Sequence, residues 1–317
     1  MPESLGAVAP SKSASKSAKS RGPCMSSHFS GALTALITPF RDGMVDEAAF
    51  SSLVERQISS GIHGLVPNGT TGEAVTLSTD EQKRVISLCI EVAHGRVPVV
   101  AGCGSNDTAK TIELVRYAKT AGADAALVVT PYYNRPHQEG MRAHYLAIAD
   151  AVELPVILYN VPGRTAVDLL PATVADLARH PNIVGHKDAS GLLDRATRQR
   201  MDCGADFALL SGDDATAVGF NAQGGRGVIS VTANVAPELC ARLQECCLAG
   251  DYGSALDIDM RLHALHKALF LEPSPSPTKY ALSKLGLCVD DVRLPLVPVN
   301  AATRAAVDAA LKTAGLL

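Results

Sequence analysis

The sequence predicts an α/β fold and, within that class, a closed (β/α)8 barrel (TIM barrel) with a C-terminal helical appendage. Three observations carry this. From residue 32 onward, short and nearly uninterrupted apolar runs alternate with helix-length amphipathic segments, as in parallel strands covered on both faces. Eight such runs occur before residue 232, which is the strand number of the common barrel of ~250 residues. No glycine-rich dinucleotide fingerprint follows the first run and no GxxxxGK[ST] occurs anywhere, which disfavours the competing open, doubly wound sheet.

Taken in order, the strand-like runs are ALTALITPF (32–40), GLVPN (64–68), VPVVAGC (97–103), AALVVTP (125–131), LPVILYN (154–160), IVGHKD (183–188), FALLSGD (207–213) and GVISV (227–231). Between the first two lies DEAAFSSLVERQISSG, with Asp46 as N-cap and Gly61 as stop; TDEQKRVISLCIEVAHG follows the second, with Thr79 as cap and Gly95 at its end. PELCARLQECCLAG closes the barrel, and helices are expected over 252–271, 276–286 and 300–315. Pro273, Pro275 and Pro277 mark a stiff connection within that tail. The expected organisation is a disordered extension over 1–28, a catalytic barrel over 29–250 and an appendage over 251–317. The extension contains SKSASKSAKSRG (11–22), rich in Ser, Lys and Ala with no apolar period, and it lacks the apolar core of a secretory signal.

Composition narrows the function. The net charge of −3 argues against a nucleic-acid partner, and no apolar stretch reaches the ~18 residues of a membrane helix. The eight cysteines form no CxxC pair, and the nine histidines include no HExxH, so neither a disulfide framework nor a metal site is expected. Reduced thiols fit a cytoplasmic location. His263 and His266 are read as a solvated or packing pair.

In a barrel the chemistry sits at the C-terminal ends of the strands. Those ends bring together Thr38, the segment Asn68–Glu73, Gly102, Tyr132 and Tyr133, Tyr159 and Asn160, Lys187 and Asp188, Gly212 and Asp213, and Ile229 and Ser230. Lys187 is the only lysine within any of the eight runs. A charged ammonium is costly to bury there, and a neutral ε-amine attacks ketones to form an imine that draws electrons from the neighbouring carbon. The other reading is a strand-end lysine paired with Asp188 or Asp213. GTTGE (69–73) offers backbone amides and hydroxyls to an anion, or is an ordinary βα turn. Tyr159 serves as an acid/base or packs its ring. Arg164 grips a carboxylate or is a surface arginine.

Together GTTGE (69–73), TPYYNRP (130–136), LYNVPGRT (158–165), GHKDAS (185–190), LLSGDD (209–214) and GVISV (227–231) resemble, in order and spacing, the dihydrodipicolinate synthase family of pyruvate-dependent class I aldolases. The likeness runs from about residue 30 to the C-terminus. It implies a lyase of lysine and diaminopimelate biosynthesis that condenses pyruvate with L-aspartate-4-semialdehyde to 4-hydroxy-tetrahydrodipicolinate. It also implies a Schiff base on Lys187, with Tyr159 shuttling protons and Thr70 linking it to Tyr133 of a neighbouring subunit. Thr71 holds the pyruvate carboxylate, helped by the backbone at Gly212 and Ile229, and Arg164 receives the carboxylate of the aldehyde. No metal or other cofactor is implied, and the assembly is a homotetramer built as a dimer of dimers.

Some positions depart from the family pattern. His186 stands where a branched apolar residue is common, and strand alternation points it away from the site. Asp188 and Ser190 replace Glu and Thr. Lys110 stands where lysine-inhibited members carry an acid, and Thr79 and Gln82 replace histidines or similar residues, while Asn106 and Tyr132 are retained. A cation at 110 repels an incoming ammonium, so feedback by lysine is not expected. Two other functions remain open at this level: another pyruvate aldolase of the same group, and a silent barrel that senses pyruvate or an amino acid.

Overall fold

The computed structural model describes residues 29–317; the expected disordered extension over 1–28, with Cys24, lies outside them. Eight parallel strands form the barrel: β1 (Gly31–Ala35), β2 (Gly64–Val66), β3 (Val100–Gly102), β4 (Ala125–Val129), β5 (Val156–Asn160), β6 (Ile183–Asp188), β7 (Ala208–Ser211) and β8 (Gly227–Ser230). Hydrogen bonding runs β2–β1–β8–β7–β6–β5–β4–β3, and a parallel bridge from Leu65 to Val99 closes the ring between β2 and β3. The first apolar run divides after Ala35. Past Pro39, Phe40–Arg41 pairs antiparallel with Met44–Val45 in a small hairpin.

Alternation explains why the strands read as continuously apolar. Leu33, Val66, Val100, Leu127, Ile157, Leu210 and Ile229 fill the barrel interior. Their neighbours in sequence, such as Ala32, Ala126, Val128, Leu158, Leu209 and Val228, face the helices. Each strand therefore buries both faces.

The helices are α1 (Glu47–Ser59), α2 (Thr79–Ala93), α3 (Thr108–Ala121), α4 (Gln138–Ala151), the single turn α5 (Pro162–Thr165), α6 (Pro171–Leu177), α7 (Asp194–Cys203), α8 (Ala217–Ala222), α9 (Pro237–Leu248), α10 (Tyr252–Ala268), α11 (Ser276–Lys284) and α12 (Ala301–Thr313). Asp46 caps α1 as expected, accepting from the Ala49 amide at 3.0 Å. The cap of α2 is Ser78, one residue before the expected Thr79. Ser78 Oγ accepts from the Glu81 amide and the Glu81 carboxylate accepts from the Ser78 amide, a reciprocal box that satisfies two otherwise orphaned donors.

The tail is continuous with the barrel's outer layer. Leu262, Leu265 and Leu269 join Leu282, Val307 and Leu311 in one apolar cluster with Phe50, Val54, Leu88 and Val228. His266 is buried against Thr232, with Nδ1 2.8 Å from its hydroxyl, whereas His263 is exposed. The two histidines thus occupy different environments.

Arg293 ties the tail to α2 by donating to both oxygens of Glu81 at 2.8 and 2.6 Å. That pairing, followed by the Ser78 amide, holds the Glu81 carboxyl down at about 2. A carboxyl depressed in the folded state stabilises it above the ordinary range near 4.5, and the contribution is lost as pH falls toward 2. Glu81→Gln is expected to lower the melting temperature at pH 7. The gap from the parent should narrow steadily in melts taken between pH 5 and pH 2.

Candidate functional site

Lys187 and Tyr159 are register partners on adjacent strands β6 and β5, so both side chains enter the barrel at the same level near its C-terminal mouth. Each is only 6 % exposed. The Lys187 Nζ stands 4.1 Å from the centroid of the Tyr159 ring. Gly185, two residues earlier on the same face, keeps the space below small: a Cβ there would lie 2.7 Å from the Ala208 carbonyl oxygen.

The acidic neighbours are otherwise engaged. Asp188 accepts from the Ser190 amide and from Gln199 Nε2, and Asp213 accepts from the Ala215 amide. Among the described residues Lys187 forms no ion pair, so the reading of a strand-end lysine paired with Asp188 or Asp213 is set aside. His186 points to the outside of the strand, as alternation predicts, with Nδ1 2.8 Å from Gln199 Oε1 on α7. Burial lowers the pKa of that imidazole.

A cavity of about 330 Å³ opens above Lys187, lined by Thr70, Thr71, Tyr159, Arg164, Gly212 and Asp213 among others. A second chamber of about 250 Å³ adjoins it and shares Thr70, Tyr159 and Arg164. Thr71 is buried, Thr70 and Arg164 are exposed at the lip, and among the described residues the Arg164 guanidinium has no partner. Arg164 lies on α5, which starts at Pro162, whose ring fixes φ for a first helical turn. The segment after it is fastened to β5: Asn160 donates to Asp168 at 2.7 Å and accepts from the Leu169 amide. Arg195 of α7 grips both oxygens of Asp168. Gly212 approaches the Lys187 strand closely, its amide donating to the Asp188 carbonyl at 2.7 Å.

Six of the eight expected site residues therefore converge on the mouth: Lys187, Tyr159, Thr70, Thr71, Arg164 and Gly212. Ile229 is inside the barrel on β8 without lining either chamber; Val231, two residues on, does so. Tyr133 is not brought into its own chain's site. It is 91 % exposed, with the left-handed backbone angle φ 72°. Thr70 and Tyr159 line the same chambers without a hydrogen bond joining their hydroxyls among the described residues. Thr79, Gln82 and Lys110 line a third cavity of about 290 Å³ together with Tyr132 and Lys83.

The sequence reading missed what the tail contributes. His266, Lys267, Phe270 and Ser274 line the Lys187 cavity. Nothing in their spacing marks them, because the tail reaches the mouth only through tertiary packing. Among the described residues no group of three His, Cys, Asp or Glu side chains is arranged to hold a metal, and no helix is long and apolar enough to cross a membrane.

Fold and site together define a (β/α)8-barrel enzyme with a buried amine at its catalytic face. Residues 28–314 match the dihydrodipicolinate synthetase family. The chain belongs to that family. It is 60 % identical over 289 residues to the 4-hydroxy-tetrahydrodipicolinate synthase of Phenylobacterium zucineum (strain HLK1), covering 91 % of this chain and 98 % of the relative. The crystal structure of the chloride-inhibited dihydrodipicolinate synthase from Acinetobacter baumannii complexed with pyruvate is 47 % identical, with a TM-score of 0.89 over 91 % of this chain and 99 % of that one. A monomeric dihydrodipicolinate synthase variant is 39 % identical, with a TM-score of 0.90 over 93 % of this chain and 100 % of that one.

Proposed function

We propose that this chain condenses pyruvate with L-aspartate-4-semialdehyde, through a Schiff base on Lys187, to give 4-hydroxy-tetrahydrodipicolinate. The observation that carries the proposal is the buried, unpaired Lys187 in register beside Tyr159 under the threonine loop. The ε-amine adds to C2 of pyruvate, water leaves, and the resulting iminium withdraws electrons from C3. A C3 proton departs to give an enamine, whose carbon bonds to the aldehyde carbon as that oxygen takes up a proton. The semialdehyde's own amine then displaces Lys187 from C2, closing the ring and restoring the free amine.

In this scheme Tyr159 moves the protons, with Thr70 as the next link. A lone phenol near 10 is a poor base at neutral pH, so it needs a hydrogen-bonded neighbour. The outward, exposed Tyr133 supports a relay completed by a second copy of the chain; the assembly proposed with it is a homotetramer built from dimers. Thr71 and the Gly212 backbone take the pyruvate carboxylate, and Arg164 takes that of the aldehyde. The iminium itself activates the carbon, so the scheme calls for no metal or other cofactor. We place the enzyme in the cytoplasm, where reducing conditions keep its free thiols.

An aldehyde panel tests the reaction. With pyruvate, turnover is expected for aspartate-4-semialdehyde and not for hydroxy-aldehydes such as glyceraldehyde. The reverse preference would assign the chain to another pyruvate aldolase. Because Lys83 and Lys110 line the third cavity against the single carboxylate of Glu113, millimolar L-lysine is expected to leave initial rates unchanged; half-inhibition in that range would contradict this reading.

A further inference from the structure

The loop that carries Thr70 and Thr71 is held from outside the barrel strands. Glu73 ends it in the left-handed conformation, φ 53°, and its side chain is 2 % exposed. The fully buried Lys279 of α11 places Nζ 2.5 Å from Glu73 Oε1. The same ammonium donates to the Asp291 carbonyl at 2.8 Å and stands 4.0 Å from the Phe40 ring centroid. The other carboxylate oxygen accepts the Arg293 amide at 3.0 Å. Within the loop, the Glu73 amide donates to the Thr70 carbonyl at 3.1 Å, so the residue that is clamped is bonded directly to the residue that carries the hydroxyl.

A desolvated ion pair is a poor way to gain stability, since apolar residues of similar volume often do as well. What it does supply is a directional fix, and a misplacement of ~1 Å can cost ~10²-fold in rate. We propose that Glu73 and Lys279 are positioning residues whose buried ion pair sets the placement of Thr70, and so governs proton transfer at the Schiff base and not its formation. The proposal rests on the reading of Lys187 as the Schiff-base lysine.

The test separates placement from folding. Glu73→Gln and Lys279→Met each strand one buried charge, and the double variant removes both. Glu73→Asp keeps the charge balance but shortens the arm by one methylene. In each protein, intact sites are counted by the borohydride-trapped pyruvate adduct. Condensation turnover per trapped site and the pH profile of deuterium exchange at C3 of pyruvate are then measured. Both single variants are expected to melt lower than the parent, and the double to recover. Turnover per trapped site should be at least tenfold down in all four, with the exchange profile displaced.

If turnover per trapped site returns to within twofold of the parent as the melting temperature recovers, the pair is structural only and the proposal fails. Should the double variant not fold, Glu73→Asp decides alone: parent-like turnover and an unmoved exchange profile would overturn the proposal. Absence of any adduct in the unmodified chain would instead remove the Lys187 reading on which it stands.

Discussion

Lys187→Ala is expected to lower condensation turnover by about 10⁴-fold or more, the scale on which removal of a covalent nucleophile acts, while leaving the fold intact. The second half of that expectation follows from the environment. Among the described residues no carboxylate pairs with this amine, and its close neighbour is the face of Tyr159 at 4.1 Å. Truncation therefore strands no opposite charge, unlike removal of one member of a buried pair, and melting temperature should not fall by more than a few degrees. Lys187→Arg is expected to be equally inactive. A guanidinium stays protonated at any pH the fold tolerates and has no free electron pair to add to a ketone. Activity in Lys187→Arg above a hundredth of the parent would point to a site elsewhere.

Arg164→Ala should instead separate the two substrates. The guanidinium sits at the lip of both chambers and has no protein partner among the described residues, so its fork is free for a carboxylate. A charge-assisted hydrogen bond contributes about 1.5–3 kcal/mol, which converts to roughly 10- to 150-fold in kcat/KM. That loss is expected against the semialdehyde, while adduct formation with pyruvate at Lys187 stays within twofold. Arg164→Lys retains charge but not the planar fork, so only partial recovery is expected. Equal losses for both substrates would mean that Arg164 orients the site as a whole and does not hold the aldehyde's carboxylate.

How far these features were legible in the sequence depended on whether the physics was local. β6 spans 183–188 as read, because a parallel strand covered on both faces shows itself as an apolar run. Two adjacent polar residues in it, His186 and Lys187, take opposite faces by alternation alone. The mouth residues followed from the rule that barrel loops after strands carry the site. The Ser78 cap was missed by one position because Ser and Thr stand side by side and only the return bond from Glu81 distinguishes them. By spacing Glu73 belongs to an anion-binding loop or an ordinary βα turn; its carboxylate is committed to the Lys279 ammonium and to an amide 220 positions away. No periodicity encodes such a contact. The tail's contribution of Phe270 and Ser274 to the cavity was hidden for the same reason. Tyr133, named for a role between subunits, keeps its side chain turned outward in a single chain.

In the proposed reaction an amine at residue 187 carries the substrate covalently. Borohydride reduction of the enzyme in the presence of pyruvate, followed by peptide mapping, tests it directly. One reduced pyruvyl adduct per chain is expected, on the peptide containing Lys187, and none without pyruvate or in Lys187→Ala. An adduct on any other lysine, or an unmodified chain under conditions where condensation proceeds, would contradict it.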